Sequence, residues 1–479
     1  MKFGQLVNAL GGVAEGDTDE EITGLCTSSA AVGKGNAFFC YRGEKYDSHS
    51  CAAQVRQAGA AVLVCERKLD CPLPQIIVPD GRAAVAKAAR AFYGEADRKL
   101  KIVGVTGTNG KTTVTYMLDS IFRAAGKSTG VIGTLGVKFA GRDIAPELTT
   151  PDPIYLHSVF KDMADCGVEY VFMEVSAHAL YFDKVAGIRF AAGVFTNCTQ
   201  DHLDFFRNMQ EYADCKAKLF RGGRCAAAIL NSDDELGRSI ATECRGCITY
   251  GLNNPADVFA VDVEESLDGT RFVLNLCDEL YEIKLKLPAL HNVYNAMAAA
   301  ACAKSLGINC DVIAKGLYSL GCVPGRLEHI GEYNGAHIFV DFAHTPDGLE
   351  KSLQSLKKLC VGKLYCLFGC GGNRDRAKRP LMGAVAAKYA DFCIVTSDNP
   401  RFEDPYDIIL QIEEGLRPTG KAYVTVTDRE TATEYAVGLL SAGDILLVAG
   451  KGGENYQEIM GIKHCYNDGE IIKDIIAKC

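Results

Sequence analysis

The chain lacks any apolar run long enough to span a bilayer, and its opening residues, Met1-Lys2-Phe3-Gly4-Gln5, carry no apolar signal core. A cytoplasmic protein with no membrane association is expected. Positive charge is also in short supply: the formal net charge is −9 and the isoelectric point is near 5.6, which argues against a nucleic-acid surface. Any anionic substrate therefore needs a basic site built locally against the global field. Although 21 cysteines are present, no pair of C-x-x-C units stands at zinc-site spacing, and many thiols lie in apolar stretches such as Leu359-Cys360 and Phe392-Cys393. Small buried thiols are expected rather than a disulfide framework or metal cluster. With only 14 prolines, 48% hydrophobic and 23% charged residues, no long segment reads as disordered. Internal repeats are missing, and so is a G-x-G-x-x-G loop opening a helix in the C-terminal third, which disfavours a nicotinamide cofactor.

What is present is a length of 479 residues, too much for one hydrophobic core, and three domains are expected. Residues 1–98 hold short strands, including Ala60 to Val64 and Gln75 to Val78, with one convincing helix. The polar stretch Gly94 to Lys99 reads as a loop-like break. Residues 99–322 alternate strand and helix, with apolar strands at Val168 to Val175 and Ala192 to Thr196, implying a largely parallel sheet covered on both faces. An antiparallel hairpin is expected where Phe272 to Leu276 and Tyr281 to Leu287 alternate around Asp278-Glu279. Val323-Pro324-Gly325-Arg326 reads as a linker. Residues 323–479 then alternate strands at Ile338, Leu364, Phe392, Tyr423 and Ile445 with helices, a doubly wound α/β pattern.

The most informative stretch is Val103-Gly104-Val105-Thr106-Gly107-Thr108-Asn109-Gly110-Lys111-Thr112-Thr113. An apolar strand runs into a glycine loop, a lysine and a hydroxyl pair, and a helix follows with Met117, Leu118, Ile121 and Phe122 on one face before Gly126. Glycines let backbone N–H groups close around phosphate oxygens, the helix points its positive end at them, and Thr112 can offer a hydroxyl to Mg²⁺. The spacing departs from the common phosphate loop, because Val105 stands at its first glycine position. Two further segments, Met173 to His178 and Thr196 to Asp204, bring carboxylates and imidazoles to the carboxyl ends of strands, where ligands of open α/β sheets sit. Glu174 with Thr112 suits a hard cation such as Mg²⁺.

Thr106 to Thr113, Glu174-Val175-Ser176-x-His178-Ala179-Leu180, Asp201-His202-Leu203-Asp204, Tyr212-x-x-x-Lys216, His291 to Asn295, Val340 to Asp347 and Asp398-Asn399-Pro400-Arg401 occur in an order that resembles the Mur ligase family over nearly the whole chain. The resemblance implies three domains, for a UDP-linked substrate, for ATP and for an amino acid. It implies an ATP-dependent amide ligase that joins meso-diaminopimelate to the D-Glu carboxylate of UDP-MurNAc-L-Ala-D-Glu through an acyl phosphate, in cytoplasmic peptidoglycan precursor synthesis, acting as a monomer. Gly107, Thr108, Asn109, Gly110, Lys111, Thr112, Thr113, Asn292, Asn295, Arg326, Asp341 and His344 are carried over as nucleotide contacts. Thr112, Glu174, His202 and Lys216 are carried over for the metal, with Lys216 as its N6-carboxy (carbamate) form. Lys111, Glu174, His202 and Lys216 form the catalytic set. Ser29, Thr149, Thr150, Ser176 and Lys184 match UDP-substrate positions. Arg379, Asp398, Asn399, Pro400, Arg401, Gly450 and Glu454 match the amino-acid pocket, where Arg401 can fork onto a distal carboxylate that lysine does not have. Departures from the family pattern fall at Ala30, Lys184, Phe206, Asn373 and Gly453. Two alternatives stay open: a divergent paralogue joining another amine such as L-lysine, and a nucleotide-binding regulator that has lost turnover.

Overall fold

The computed structural model describes residues 1–43 and 46–478. The fold is mixed α/β and forms two compact units, one of residues 1–104, 127–193 and 218–226, the other of residues 105–126, 194–217 and 227–479. Residues 1–98 thus lie in the first unit and 323–479 in the second, while 99–322 contributes to both.

In the first unit a five-stranded sheet runs in the order Val13–Glu15, Gln75–Ile77, Val62–Cys65, Asn36–Phe39, Gly24–Cys26. All its pairings are parallel except the antiparallel edge strand Val13–Glu15. Val62–Cys65 is buried at every position, as a strand covered on both faces must be. Three helices accompany the sheet rather than one, at Phe3–Leu10, Ala52–Gln57 and Gly81–Phe92. Ala52–Gln57 is too short to show a helical period, which is why it escapes a sequence reading. The expected break at Gly94 to Lys99 is not a loop: Ala96–Lys99 is a 3₁₀ helix, and Asp97, 6% exposed, accepts from Arg90 Nε at 2.9 Å. An ion pair with the preceding helix has turned a polar linker into anchored structure. The same unit carries Tyr170–Glu174 parallel to Thr129–Gly133, which continues antiparallel into Gly136–Phe139 and Arg142–Ile144.

In the second unit the helix Lys111–Ala124 starts where the phosphate-loop reading puts it and buries Val114, Met117, Leu118, Ile121 and Phe122. The hairpin Gly269–Leu276 with Glu279–Leu285 is present and antiparallel, extended by a third strand, Val258–Ser266. The last region is a six-stranded sheet ordered Glu328–Tyr333, Ala336–Asp341, Ile445–Ala449, Leu364–Phe368, Phe392–Val395, Tyr423–Thr425. Its five inner and far strands are parallel, and Glu328–Tyr333 closes one edge antiparallel. That edge strand has a half-exposed polar pattern that no apolar alternation announces. Among the described residues no helix is long and apolar enough to cross a membrane.

Candidate functional site

The glycine loop between the strand ending at Thr106 and the helix opening at Lys111 is shaped by positions at which no side chain fits. Gly107 has φ +147°, and a Cβ there would stand 1.8 Å from Thr196 Oγ1; at Gly110, φ +88°, it would stand 2.5 Å from Asn295 Oδ1. Val105 in place of the usual first glycine is a buried strand residue and takes no part in the turn. The loop is fastened to the segment after Ala192–Phe195: Asn109 N–H donates to Asn197 Oδ1 at 2.9 Å, Thr196 Oγ1 donates to the Asn109 carbonyl at 2.6 Å, and Thr108 N–H donates to the Asn197 carbonyl at 2.8 Å. Asn109 Nδ2 also donates to Asp347 Oδ2 at 2.9 Å, tying the loop to the helix Pro346–Leu359. Lys111 Nζ lies 2.9 Å from the Gly107 and Thr108 carbonyls, so the ammonium is held inside the loop.

Several carried-over nucleotide residues gather around this loop. Thr112 Oγ1 accepts from Arg326 Nη2 at 2.9 Å, and the Arg326 guanidinium lies 4.4 Å over the Phe342 ring. Asp341 fixes the turn that presents Arg326, accepting from Leu327 N–H at 2.5 Å and Ala343 N–H at 2.8 Å. Burial pushes its carboxyl up against the opposing pull of Arg326. Asn295 Nδ2 donates to Asn292 Oδ1 at 3.1 Å, with both side chains buried on the helix Leu290–Ser305. His344 is held by an Nδ1 contact of 2.8 Å to the Phe342 carbonyl, and burial lowers its imidazole to about 4.

Beyond the loop the helix Met209–Ala217 buries Lys216, 1% exposed. Its Nζ lies 4.0 Å from the Tyr212 ring centroid, and among the described residues no carboxylate stands at ion-pair distance. Desolvation drives the amine from the usual 10.5 down to about 8, against the weaker pull of Cys198, Asp201, Cys215 and Asp234. Tyr212 in turn has its hydroxyl 3.2 Å from Thr108 Oγ1, which links this helix to the glycine loop. Asp201 and His202 lie alongside. His202 sits at φ +56°, a conformation rare for a residue with a Cβ, and its Nε2 is 3.3 Å from Asp201 Oδ2. Burial alone would raise the Asp201 carboxyl, but His202, His344 and Lys378 outweigh it and hold the group at about 2.

In the first unit Glu174 ends its strand 1% exposed, and its carboxylate accepts from Thr134 N–H at 2.8 Å and Thr134 Oγ1 at 3.2 Å. Gly133 makes room for it, since a Cβ there would fall 2.2 Å from Glu174 Oε1. Thr150 Oγ1 donates to the Glu174 carbonyl at 2.9 Å and to Ser176 Oγ at 3.3 Å, and Thr149 Oγ1 is 3.2 Å from Thr134 Oγ1. Thr149, Thr150, Ser176 and Glu174 are therefore one hydroxyl-rich cluster. Lys184 forms an ion pair of 2.6 Å with Asp152 instead, and Ser29 is half-buried after Ser28.

The segment carried over as the amino-acid pocket follows the strand Phe392–Val395. Arg401 has φ +53°; its Nη1 donates to the Gly372 carbonyl at 2.8 Å and its Nε to Glu458 at 3.2 Å, leaving Nη2 outside both bonds. Asn399 Nδ2 donates to Glu454 Oε2 at 2.8 Å, and Lys451 Nζ reaches Asn399 Oδ1 and Glu454 Oε2, each at 3.0 Å. Burial raises the Glu454 carboxyl. Gly450 approaches Asp398 so closely that a Cβ would meet Oδ2 at 2.6 Å. Pro400 is buried, with its carbonyl against Gly372. Arg379, 0% exposed, forks onto Glu403 with two 3.0 Å bonds, and those bonds pull the Glu403 carboxyl down to about 2.

Sequence reasoning gave no role to Thr134 or Lys451, and none to Asn197 and Asp347 beyond their place in the segments Thr196 to Asp204 and Val340 to Asp347. Lys451 had a legible signal, a lysine between glycines directly after an apolar strand, whereas Thr134 had none. Two departures have structural reasons. Phe206 is 2% exposed and packs on Tyr212 with ring centroids 5.1 Å apart, so an aromatic fills the histidine position beside Lys216. Asn373 sits at φ +52°, a conformation asparagine tolerates, and its Oδ1 accepts from Phe402 N–H at 3.0 Å. Nothing in the structure explains Ala30.

Residues 105–303 match the family described as Mur ligase middle domain, and residues 325–452 match Mur ligase, glutamate ligase domain. A UDP-N-acetylmuramoyl-L-alanyl-D-glutamate–2,6-diaminopimelate ligase of Geobacillus thermodenitrificans is 42% identical over 447 residues, covering 92% of this chain and 91% of the other. The ligase of the same name from Bacillus licheniformis is 38% identical and covers 100% of both chains. Among solved structures, one described as that ligase superposes with a TM-score of 0.68 at 32% identity over 95% of this chain and 94% of the other. A MurF ligase from Thermotoga maritima in complex with ADP has a TM-score of 0.64 over 96% of this chain and 98% of the other, and at 20% identity it supports the fold alone. The chain belongs to the Mur ligase family.

Proposed function

We propose that this ligase joins meso-diaminopimelate to the D-Glu carboxylate of UDP-MurNAc-L-Ala-D-Glu at the expense of ATP, in the cytoplasm and as a monomer. We assign residues 1–98 to the UDP end of the substrate, 99–322 to ATP and 323–479 to the incoming amino acid. The single observation that carries the reading is Lys216, a buried amine with no carboxylate at ion-pair distance among the described residues, next to Asp201-His202 and tied through Tyr212 to the glycine loop.

A substrate carboxylate oxygen attacks the γ-phosphorus and ADP leaves. The amine then attacks the acyl phosphate carbon, loses a proton and expels inorganic phosphate. No protein nucleophile is required; the obstacle is repulsion between two anions, which positioning and cations remove. Lys111 brings an ammonium to the phosphates within the loop, and Arg326 brings a guanidinium anchored by the Asp341 turn. Asn292 and Asn295 form the buried amide pair we assign to the nucleotide, and we assign His344, neutral against the Phe342 carbonyl, to it as well. Lys216 is suited to carbamate formation: its lowered value leaves far more unprotonated amine at neutral pH than an exposed lysine has, and that lone pair adds to CO₂ with release of one proton. The product is an anionic oxygen donor where an ammonium could not ligate. We assign that carbamate, Thr112 and His202 as donors for a hard divalent cation, and we give Glu174 of the first unit the same role from its donor type. Mg²⁺ bound by these residues would neutralise phosphate charge. For the third residue, Arg401 is held by Gly372 and Glu458 with Nη2 to spare for a distal carboxylate, and Glu454, positioned by Asn399 and Lys451, provides a carboxylate acceptor for an ammonium.

The test is phosphate release by the purified chain with ATP, the UDP-linked dipeptide and a panel of diaminopimelate, lysine and ornithine. Release that needs all three components and favours diaminopimelate is expected. Release with lysine instead would overturn the specificity, and no release with any amine would overturn the ligase reading.

A further inference from the structure

The edge hairpin Glu328–Tyr333 and Ala336–Asp341 of the second unit carries a cluster that takes no part in the chemistry above. His329, Glu332 and His337 offer one ligand atom each, and these atoms lie within 4.8 Å of one another. Alternation along a strand would send residues 329 and 332 to opposite faces. A β-bulge prevents that: His329 pairs with Phe339 and Gly331 with Ile338, so Ile330 is the extra residue, and Glu332 falls directly opposite His337. Ile330 packs into the core, and the two histidines and the glutamate share one face.

Two of the three distances within the cluster match the spacing of ligands in a coordination shell. His329 Nε2 and His337 Nδ1 are 3.2 Å apart, and His337 Nδ1 is 3.6 Å from Glu332 Oε1. Two ligands each about 2.1 Å from a tetrahedral metal stand about 3.4 Å from one another. Burial, and the neighbouring His337, lower the His329 imidazole and favour its neutral form, while Glu332 and Asp268 supply negative charge nearby. Two imidazoles and a carboxylate suit zinc or another late transition ion better than Mg²⁺.

We propose that His329, His337 and Glu332 form a transition-metal site of the two-histidine, one-carboxylate type, with solvent as the remaining ligand, that staples the edge strand Glu328–Tyr333 to Ala336–Asp341. The site is independent of the nucleotide and the amino acid. It pins the strand that leads out of the Arg326 turn, where Gly325 N–H already donates to Glu328 Oε2 at 2.7 Å.

Zn²⁺ is titrated calorimetrically into the chelator-treated full-length protein, and Co²⁺ absorption identifies the ligands. One equivalent that binds at least tenfold more weakly in His329→Ala and in His337→Ala, but persists in His202→Ala, is expected, with a smaller weakening in Glu332→Gln. Co²⁺ should give a tetrahedral band without thiolate charge transfer, and Zn²⁺ should raise the melting temperature of wild type but of neither hairpin variant. His329 and Glu332 are exposed and His337 is half-buried, and circular dichroism checks that the variants fold. Equal stoichiometry and affinity in wild type and both hairpin variants, or a spectrum made of thiolate bands alone, would overturn the site.

Discussion

Two buried cations in this molecule have opposite surroundings. Arg429 and Asp468 are each 0% exposed at the side chain, and Arg429 Nε and Nη2 fork onto the carboxylate at 2.9 and 2.8 Å while Nη2 also donates to the Ala449 carbonyl at 2.9 Å. Lys216 is equally hidden, yet it faces an aromatic ring and, among the described residues, no carboxylate at ion-pair distance. A desolvated charge must be repaid locally or shed its proton. Arg429 is repaid by Asp468 and serves as framework, whereas Lys216 is pushed towards neutrality, the state in which an amine can react.

The sharpest way to break this contrast is Lys216→Ala. We expect a loss of ligase turnover of about 10³-fold, the scale of removing a key electrostatic group from an active site, with partial rescue by a short carboxylic acid and an unchanged fold by circular dichroism. Asp468→Ala should do the reverse, lowering stability by about 3–5 kcal/mol in denaturant titrations while leaving turnover per folded molecule intact. Replacing both partners, Arg429→Met with Asp468→Leu, should recover most of that loss, because an apolar pair leaves no orphaned charge.

A pH series sharpens the comparison further. The folded Lys216 value, about 8, lies below the usual 10.5, so the unfolded chain binds more protons between them. The penalty for charging this amine is fully present below about 8 and fades as pH rises towards the ordinary lysine range; stability of CO₂-free protein should therefore climb with pH across that window, and Lys216→Met should lack the slope. The smallest effect is expected from Asp234→Asn, which removes one of the weaker attractions on Lys216 and should move its titration midpoint down by a fraction of a unit, measurable by reactivation with bicarbonate at several pH values.

Much of this was readable from residues alone, for identifiable reasons. The glycine loop announced itself because apolar strand, glycines and Lys-Thr-Thr are contiguous, and the parallel strands because they are continuous apolar runs. Lys216 was legible only through its spacing from Tyr212 and the Asp201-His202 context, since nothing in a single lysine reveals burial. The Thr134 bonds to Glu174 were invisible, because they join residues 40 positions apart and depend on the missing side chain at Gly133. The 3₁₀ helix at Ala96–Lys99 was hidden because its anchor, Arg90, lies in another element.

One crossing in the second unit reaches beyond its own neighbourhood. At Gly325 a Cβ would stand 1.9 Å from Gly453 N and 2.5 Å from Gly452 Cα, so main chain rides directly on main chain with no side chain as cushion. On one side of that bearing the next residue is Arg326; on the other it is Glu454. Any residue larger than glycine at 325 would force these two backbones apart, displacing at one stroke the guanidinium assigned to phosphate and the carboxylate assigned to the incoming amine.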